Sequence, residues 1–260
     1  DVTGTGKYGA PLTAPAAVKT GYTLSGWQPT PPAPALSATF PAADATYTAQ
    51  WTANTYKVRF NKNDSNASGN MGDQSFTYGQ SQNLTANGFT KTGYTFDGWA
   101  TSAGGSKQYS DQQLVSNLTT TANGTVNLYA VWKINTYTVD YRVAGGQGKI
   151  QADSHTPTTS SSVSVAHGDS VTFTARPDTG WEVDSWTGAT ANTPNTTATL
   201  SGVTGDKTVT VTFKKTYTVT FKVDGGHGSL KGEYNGSDKT APGGGQETFT
   251  VLDGRSVTFT

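Results

Sequence analysis

Three short segments alternate bulky apolar residues with polar ones, and they recur at a nearly fixed distance. Tyr56-Lys57-Val58-Arg59-Phe60, Tyr137-Thr138-Val139-Asp140-Tyr141 and Tyr217-Thr218-Val219-Thr220-Phe221 each put three large side chains on one face of a strand. Their first residues lie 81 and 80 positions apart, and Trp51, Trp132 and Phe213 are separated by 81 and 81. Spacing this regular makes the sequence a tandem array of β modules of about 80 residues. Recurring residues are then, first of all, those that every module needs in order to fold.

Two more phrases keep the same register. One reads Gly21-Tyr22-Thr23-Leu24-Ser25-Gly26-Trp27, Gly93-Tyr94-Thr95-Phe96-Asp97-Gly98-Trp99 and Gly180-Trp181-Glu182-Val183-Asp184-Ser185-Trp186. The other is a closing strand: Tyr47-Thr48-Ala49-Gln50-Trp51, Leu128-Tyr129-Ala130-Val131-Trp132 and Val209-Thr210-Val211-Thr212-Phe213. A Gly signpost stands upstream of the first phrase in Tyr8-Gly9, Tyr78-Gly79 and His167-Gly168, and again in Asp253-Gly254. The expected divisions are 1–53, a module lacking its first strand; 54–134, a complete module; 135–215, a divergent one; and 216–260, the start of another. Because 216–260 lacks a closing strand, it is expected to be poorly ordered when alone. Thr52–Thr55, Lys133–Thr136 and Lys214–Thr216 are all that separates closing from opening strands. Junctions so short are no flexible tether. With units about 30 Å across, an elongated array on the order of 100 Å is expected.

Composition narrows the functional classes. With 18 basic and 18 acidic side chains among 260 residues and no clustered basic face, nucleic acid is not expected as a partner, and since no run approaches the roughly 18 apolar residues of a membrane span, neither is direct membrane insertion. The absence of Cys excludes disulfides and thiolate metal sites. Only 33% of residues are hydrophobic, so the 11% that are aromatic must carry the cores. The expected core set is Tyr22, Trp27, Trp51, Tyr56, Tyr94, Phe96, Trp99, Trp132, Tyr137, Trp181, Trp186, Phe213 and Tyr217. A carbohydrate-stacking platform is the competing reading of the repeated Trp residues, but their fixed register favours the core.

Gly-Tyr-Thr-Phe-Asp-Gly-Trp, then Leu-Tyr-Ala-Val-Trp, then Asn-Thr-Tyr-Thr-Val resembles the internalin B-repeat (Listeria–Bacteroides repeat) family, best over 54–134. Residues 135–215 and 216–260 resemble its divergent branch, where Trp181, Ser185 and Phe213 replace Tyr, Gly and Trp. The resemblance implies small, mainly β, β-grasp-like modules in tandem on secreted or wall-anchored bacterial proteins, and no catalytic set, cofactor or metal to transfer. It implies an extracellular stalk or spacer that projects a functional domain. The alternative is an adhesive module that binds host protein or glycan through loops and strand edges, besides the neighbouring modules of its own chain.

Other motifs carry less. His155, His167 and His227 are too dispersed for a zinc site. Asn61–Asn66 resembles a calcium loop in composition only, lacking the terminal bidentate Glu. Gly145-Gly146-Gln147-Gly148-Lys149 lacks the following Ser or Thr, and the helix, of a phosphate loop. Pro29–Pro34 reads as a stiff loop or a polyproline ligand. A Lys–Asn cross-link would suit a Cys-free stalk, but no pair is identifiable. No nucleophile, general base or paired carboxylate converges, so an enzyme is not expected. Specificity is sought instead in the stretches that differ most between modules, Lys62–Phe76 and Thr101–Thr125. Tyr109 and Tyr234, which belong to no repeated phrase, are the candidate ligand contacts.

Overall fold

Alternation of β-branched and aromatic residues with polar ones, punctuated by Gly and Asn, produces strands throughout. The computed structural model describes residues 5–30, 38–39 and 41–260, and no helix occurs among them. The chain divides into two compact units, 1–133 and 134–260.

In the first unit, β1 (Tyr22–Pro29) pairs antiparallel with β2 (Tyr47–Ala53). There follow β3 (Thr55–Asn61), β4 (Gln74–Thr77), β5 (Gln82–Asn83), β6 (Tyr94–Ala100), β7 (Leu114–Val115) and β8 (Thr125–Ile134). The main sheet has the order β4-β3-β8-β6. Its two central strands, β3 and β8, run parallel, and β4 runs antiparallel to β3. Period two decides what is inside: Tyr56, Val58 and Phe60 are buried while Thr55, Lys57 and Arg59 face out. Leu128 and Ala130 of β8 and Trp99 of β6 complete that face. Leu84, Phe89 and Val115, on or beside the β5–β7 pair, pack onto the same core.

The second unit repeats this plan with more regular strands. It contains β9 (Thr136–Gly145), β10 (Gly148–Ala152), β11 (Ser160–Ala166), β12 (Val171–Pro177), β13 (Trp181–Thr187), β14 (Thr190–Ala191) and β15 (Thr197–Leu200). Then come β16 (Lys207–Lys222), β17 (Ser229–Tyr234), β18 (Ser237–Pro242), β19 (Gln246–Leu252) and β20 (Thr258–Phe259). Order β11-β9-β16-β13, with β9 and β16 parallel, matches β4-β3-β8-β6 strand for strand. A second sheet, β10-β12-β15-β14, supplies Ile150, Ala152, Phe173, Ala175 and Ala198 to the inside. Strand β16 then does two things. Lys207–Thr212 pairs with β9, and Thr216–Lys222 pairs antiparallel with β19. Its odd-numbered residues Val209, Val211 and Phe213 enter one core and Phe221 another.

The Trp phrase hides a bulge. Tyr22 and Trp27 are five residues apart, a spacing that in a regular strand would put them on opposite faces. The register of β1 against β2 shifts between Leu24 and Gly26, and that of β13 against β16 shifts between Val183 and Ser185. The extra residue, Ser25 or Asp184, returns the following Trp to the face of its partners. Gly26 and Gly98 share φ 152° at this point, and a side chain on Gly98 would run into the Tyr109 carbonyl and Lys107. The divergent copy manages the bulge with Ser185, whose hydroxyl lies 2.7 Å from that of Thr212.

One member of the expected core set is placed otherwise. Tyr217 is 50% exposed. It shares the inward face of β16 with Val219 and Phe221, but no described strand pairs there in the way β8 pairs with β3. The ring is left beside Lys215, whose ammonium lies 5.4 Å from the ring centroid.

Candidate functional site

The most organised polar features of the molecule are the junctions between successive strand sets. Asn54, between β2 and β3, is buried and uses all four of its hydrogen-bonding elements. Its N–H donates to Gly21 O (2.9 Å), and its carbonyl accepts from Tyr78 N (2.8 Å). Oδ1 accepts from the Thr23 hydroxyl (2.6 Å), and Nδ2 donates to Thr120 O (2.7 Å). A buried amide with every group satisfied fixes geometry, because each lost partner would leave a desolvated polar atom. Gly21, at φ 77°, is required here, since a Cβ would land on the Tyr78 ring. That ring meets Tyr22 edge-on at 5.7 Å.

The signpost residues belong to the same frame. Tyr78 N to Asn54 O, His167 N to Asn135 O and Asp253 N to Lys215 O are equivalent bonds, each 2.8 Å. Thr216 N donates to Gly180 O (2.8 Å), as Asn54 N does to Gly21 O. Signpost glycines 9, 79, 168 and 254 all hold φ between 74° and 84°, the left-handed region that favours Gly. Sequence reasoning locates these signposts without their partners, and it misses Asn54, which by sequence is only a residue of a short junction.

The named aromatics separate by burial. Trp99 is fully enclosed, with Phe60 and Phe96 centroids at 4.8 Å and Phe89 at 6.2 Å. Its Nε1 has no hydrogen-bond partner. Tyr56 and Phe213 are also buried. Phe96 and Trp132 are half-buried against the core of Trp99; Tyr137, Trp181 and Trp186 are half-buried against that of Phe213. The Trp132 and Trp186 indoles donate to Lys62 O (2.9 Å) and Asn195 O (2.7 Å). Tyr22, Trp27, Trp51 and Tyr94 are half-buried, and the Lys91 ammonium sits 3.7 Å above the Tyr94 ring.

Neither candidate ligand contact is a free ring. Tyr109 packs on the core of Trp99, and its backbone exchanges bonds with Trp99. Tyr234 packs against Phe249, and its hydroxyl accepts from Leu252 N (3.1 Å). Both are spent on their own modules because each variable loop must close its own core. Leu114, 62% exposed within Thr101–Thr125, is the apolar side chain those loops leave open.

The remaining motifs resolve into local structure. Within Asn61–Asn66, Asn61 and Asn63 amides donate to Leu128 O (3.1 Å) and Ala130 O (3.0 Å), and Asp64 accepts from Asn66 N (2.8 Å). Asp64 also holds Lys91 at 2.6 Å, and Arg59 holds Asp73 at 2.9 Å. The hydrogen bonds from Lys91 and Arg59 keep these two carboxyls below the ordinary aspartate range. Gly146 and Gly148 sit where a side chain would strike Phe213. His155 bonds Ala152 O (2.9 Å), His167 approaches the Tyr137 hydroxyl (3.4 Å), and His227 is exposed. No group of three metal-ligating residues occurs among the described residues. Pro29 ends β1, and Pro31, Pro32 and Pro34 lie outside the described residues.

Two family models match in tandem. Residues 56–131 match the Listeria-Bacteroides repeat domain, and residues 141–217 match the divergent InlB B-repeat domain. The chain carries two B-repeat domains. The matched spans each contain one parallel central pair, β3 with β8 and β9 with β16. A similar protein, from Evansella cellulosilytica, bears the name Gly-rich membrane protein and is 32% identical over 139 residues. That alignment covers 49% of this chain and 16% of the relative. No described helix is long and apolar enough to cross a membrane. Repeat domains of these two types are generally non-catalytic, and the B-repeat pair marks this chain as a repeat segment of surface-protein type.

Proposed function

We propose that this B-repeat segment is an extracellular spacer on a bacterial surface or secreted protein, holding a functional domain at a distance and performing no catalysis. The observation that carries this reading is the junction. β16 passes from one strand set to the next without a break, and Asn54, just before β3, bonds Gly21 and Thr23 at the start of β1 on one side and Tyr78 and Thr120 on the other. Junctions of this kind resist bending, because rotation would break paired backbone groups. The strand order shared by 56–131 and 141–217 supports reading each as a β-grasp-like unit with a loop in place of the helix. In solution the segment is expected to be extended. Small-angle scattering should give a radius of gyration of about 30 Å, as for a rod on the order of 100 Å, against about 18 Å for a compact chain of this length. A value near the compact one would refute the spacer.

A second reading is adhesion through Thr101–Thr125, favoured by the exposed Leu114. Its ligand would be a host surface protein or glycan. Replacing Leu114 with Ser should abolish retention on a matrix-protein panel or glycan array while leaving the melting curve unchanged. Absence of retention by the unmodified segment would remove this reading and leave the spacer intact.

A further inference from the structure

Among the described residues, the outer strands, those beside the opening strands and those of the Trp phrase, are treated unequally, and β11 is left open. On β4, Gln74 donates from Nε2 to Asn83 O and accepts from Thr85 N, both at 2.8 Å, which lays the following segment over the edge. On β19, the outward carbonyl of Thr248 receives the Lys239 ammonium at 2.7 Å. On β6, Trp99 exchanges backbone bonds with Gln108 and Tyr109. On β13, the Val183 carbonyl accepts from the Asn195 amide at 3.3 Å. Such devices block pairing with another chain.

β11 occupies the same place as β4 and β19 and has none of them. Its seven residues pair with β9 without a bulge. Val143 N donates to Thr159 O and His167 N donates to Asn135 O, so the odd-numbered residues bond to β9. The even-numbered ones turn outward. Thr158 covers Ser160, and Ala166 O receives Asp169 N. Ser162 and Ser164 therefore present N–H and C=O groups with no partner among the described residues. The strand reads Ser-Ser-Ser-Val-Ser-Val-Ala, with no charge and no proline.

We propose that β11 is a homophilic contact: it pairs antiparallel with β11 of a second copy about a two-fold axis at Val163. A second copy fits this edge better than a foreign strand for two reasons. An uncharged edge meets its own copy without repulsion, and serine hydroxyls both donate and accept, so Ser162 opposite the partner's Ser164 is self-complementary. The contact is isologous and closes as a dimer. Two edges of this length bury well under the roughly 1,000 Å² of a stable interface, so the dimer is weak. Neighbouring molecules on one surface would gain strength from multiplicity.

Sedimentation equilibrium of the whole 260-residue chain, from micromolar to millimolar, tests this. The apparent mass should rise from 27.2 kDa toward twice that value. S162K/S164K sets like charges opposite one another and should weaken association at least tenfold with an unchanged melting curve, since both serines are exposed. Mixing that variant with S162D/S164D should restore the dimer. Because the chain has no Cys, Val163→Cys should give a disulfide-linked dimer under oxidation, while Ser161→Cys should not. A single 27.2 kDa species throughout, or association indifferent to the lysines, overturns the proposal; cross-linking at Ser161 in place of Val163 overturns the register.

Discussion

Trp99 is the strongest test of how a B-repeat with so few aliphatic residues holds together. Its side chain is fully enclosed by Phe60, Phe89 and Phe96. A buried Trp removes up to about 250 Å² from water, worth about 6 kcal/mol at 25 cal/mol/Å². Measured Trp→Ala changes cost about 3–5 kcal/mol. One term opposes the loss: the indole N–H is buried without a partner, and its desolvation costs about 1–3 kcal/mol. Trp99→Ala should thus fall near the lower end, about 3 kcal/mol. An 80-residue domain has roughly 4–12 kcal/mol in total, and each kcal/mol moves its midpoint by about 4–8 °C. Trp99→Phe discards the orphaned N–H and leaves a smaller cavity than Ala does, so it should cost clearly less than Trp99→Ala. Calorimetry of the whole chain would read both. The transition of the first unit should fall by about 12–24 °C for Trp99→Ala and by less for Trp99→Phe. Equal losses for the two variants would refute the account of the unpaired N–H, and an unchanged Trp99→Ala transition would refute burial itself.

Three further outcomes follow from the same geometry. Asn54→Ala strands the Thr23 hydroxyl and the Thr120 carbonyl, so it should destabilise the first unit by about 1–3 kcal/mol and speed tryptic cleavage at Lys19; unaltered cleavage would mean the Asn54 side chain does not hold β1 in place. Gly21→Ala meets both a positive φ and the Tyr78 ring, and it should loosen the same junction, whereas Gly21→Ala combined with Tyr78→Ala should recover part of the loss in a double-mutant cycle. Asp64 and Asp73 titrate below the ordinary 3.8 when folded, so their contribution is complete above that value and is lost as pH falls through the depressed ones. Acid unfolding of the first unit should accordingly shift to higher pH in Asp64→Asn; a coincident acid titration would show that the Lys91 pair adds nothing.

Strand identity was legible because it rests on period two, which Tyr56-Val58-Phe60 and Val209-Val211-Phe213 state directly. The repeat spacing exposed the modular plan for the same reason. The bulge was not read, although its signal was present: Tyr94 and Trp99 are five apart, an odd interval that one face of a strand cannot hold unaided. Tyr217 was misplaced because its residue type and register equal those of Tyr56, while burial also depends on a parallel neighbour that no local pattern encodes. Tyr109 belongs to no repeated phrase, and its packing on the Trp99 core is illegible for that reason: loops that differ in sequence still have to cover their own cores. Asn54 was invisible for a related reason: an Asn between strands is ordinarily a turn residue, and only the fold shows four partners converging on it.

The junction after Phe213 is one residue shorter than those after Trp51 and Trp132, and its length is fixed by the strand that runs through it. In β16 every second residue from Val209 to Phe221 points to the same side, so two cores hang from one face of one strand. Insertion of a single residue between Phe213 and Tyr217 would reverse that face for everything downstream. The same insertion would slide Lys215 and Thr216 away from Asp253 and Gly180, which they bond through the backbone. Loops such as Thr101–Thr125 carry no such constraint, because their ends are fixed by β6 and β8 and extra residues cost only loop entropy. A one-residue insert after Lys214 should therefore disrupt the last strand set far more than a longer insert within Thr101–Gln113.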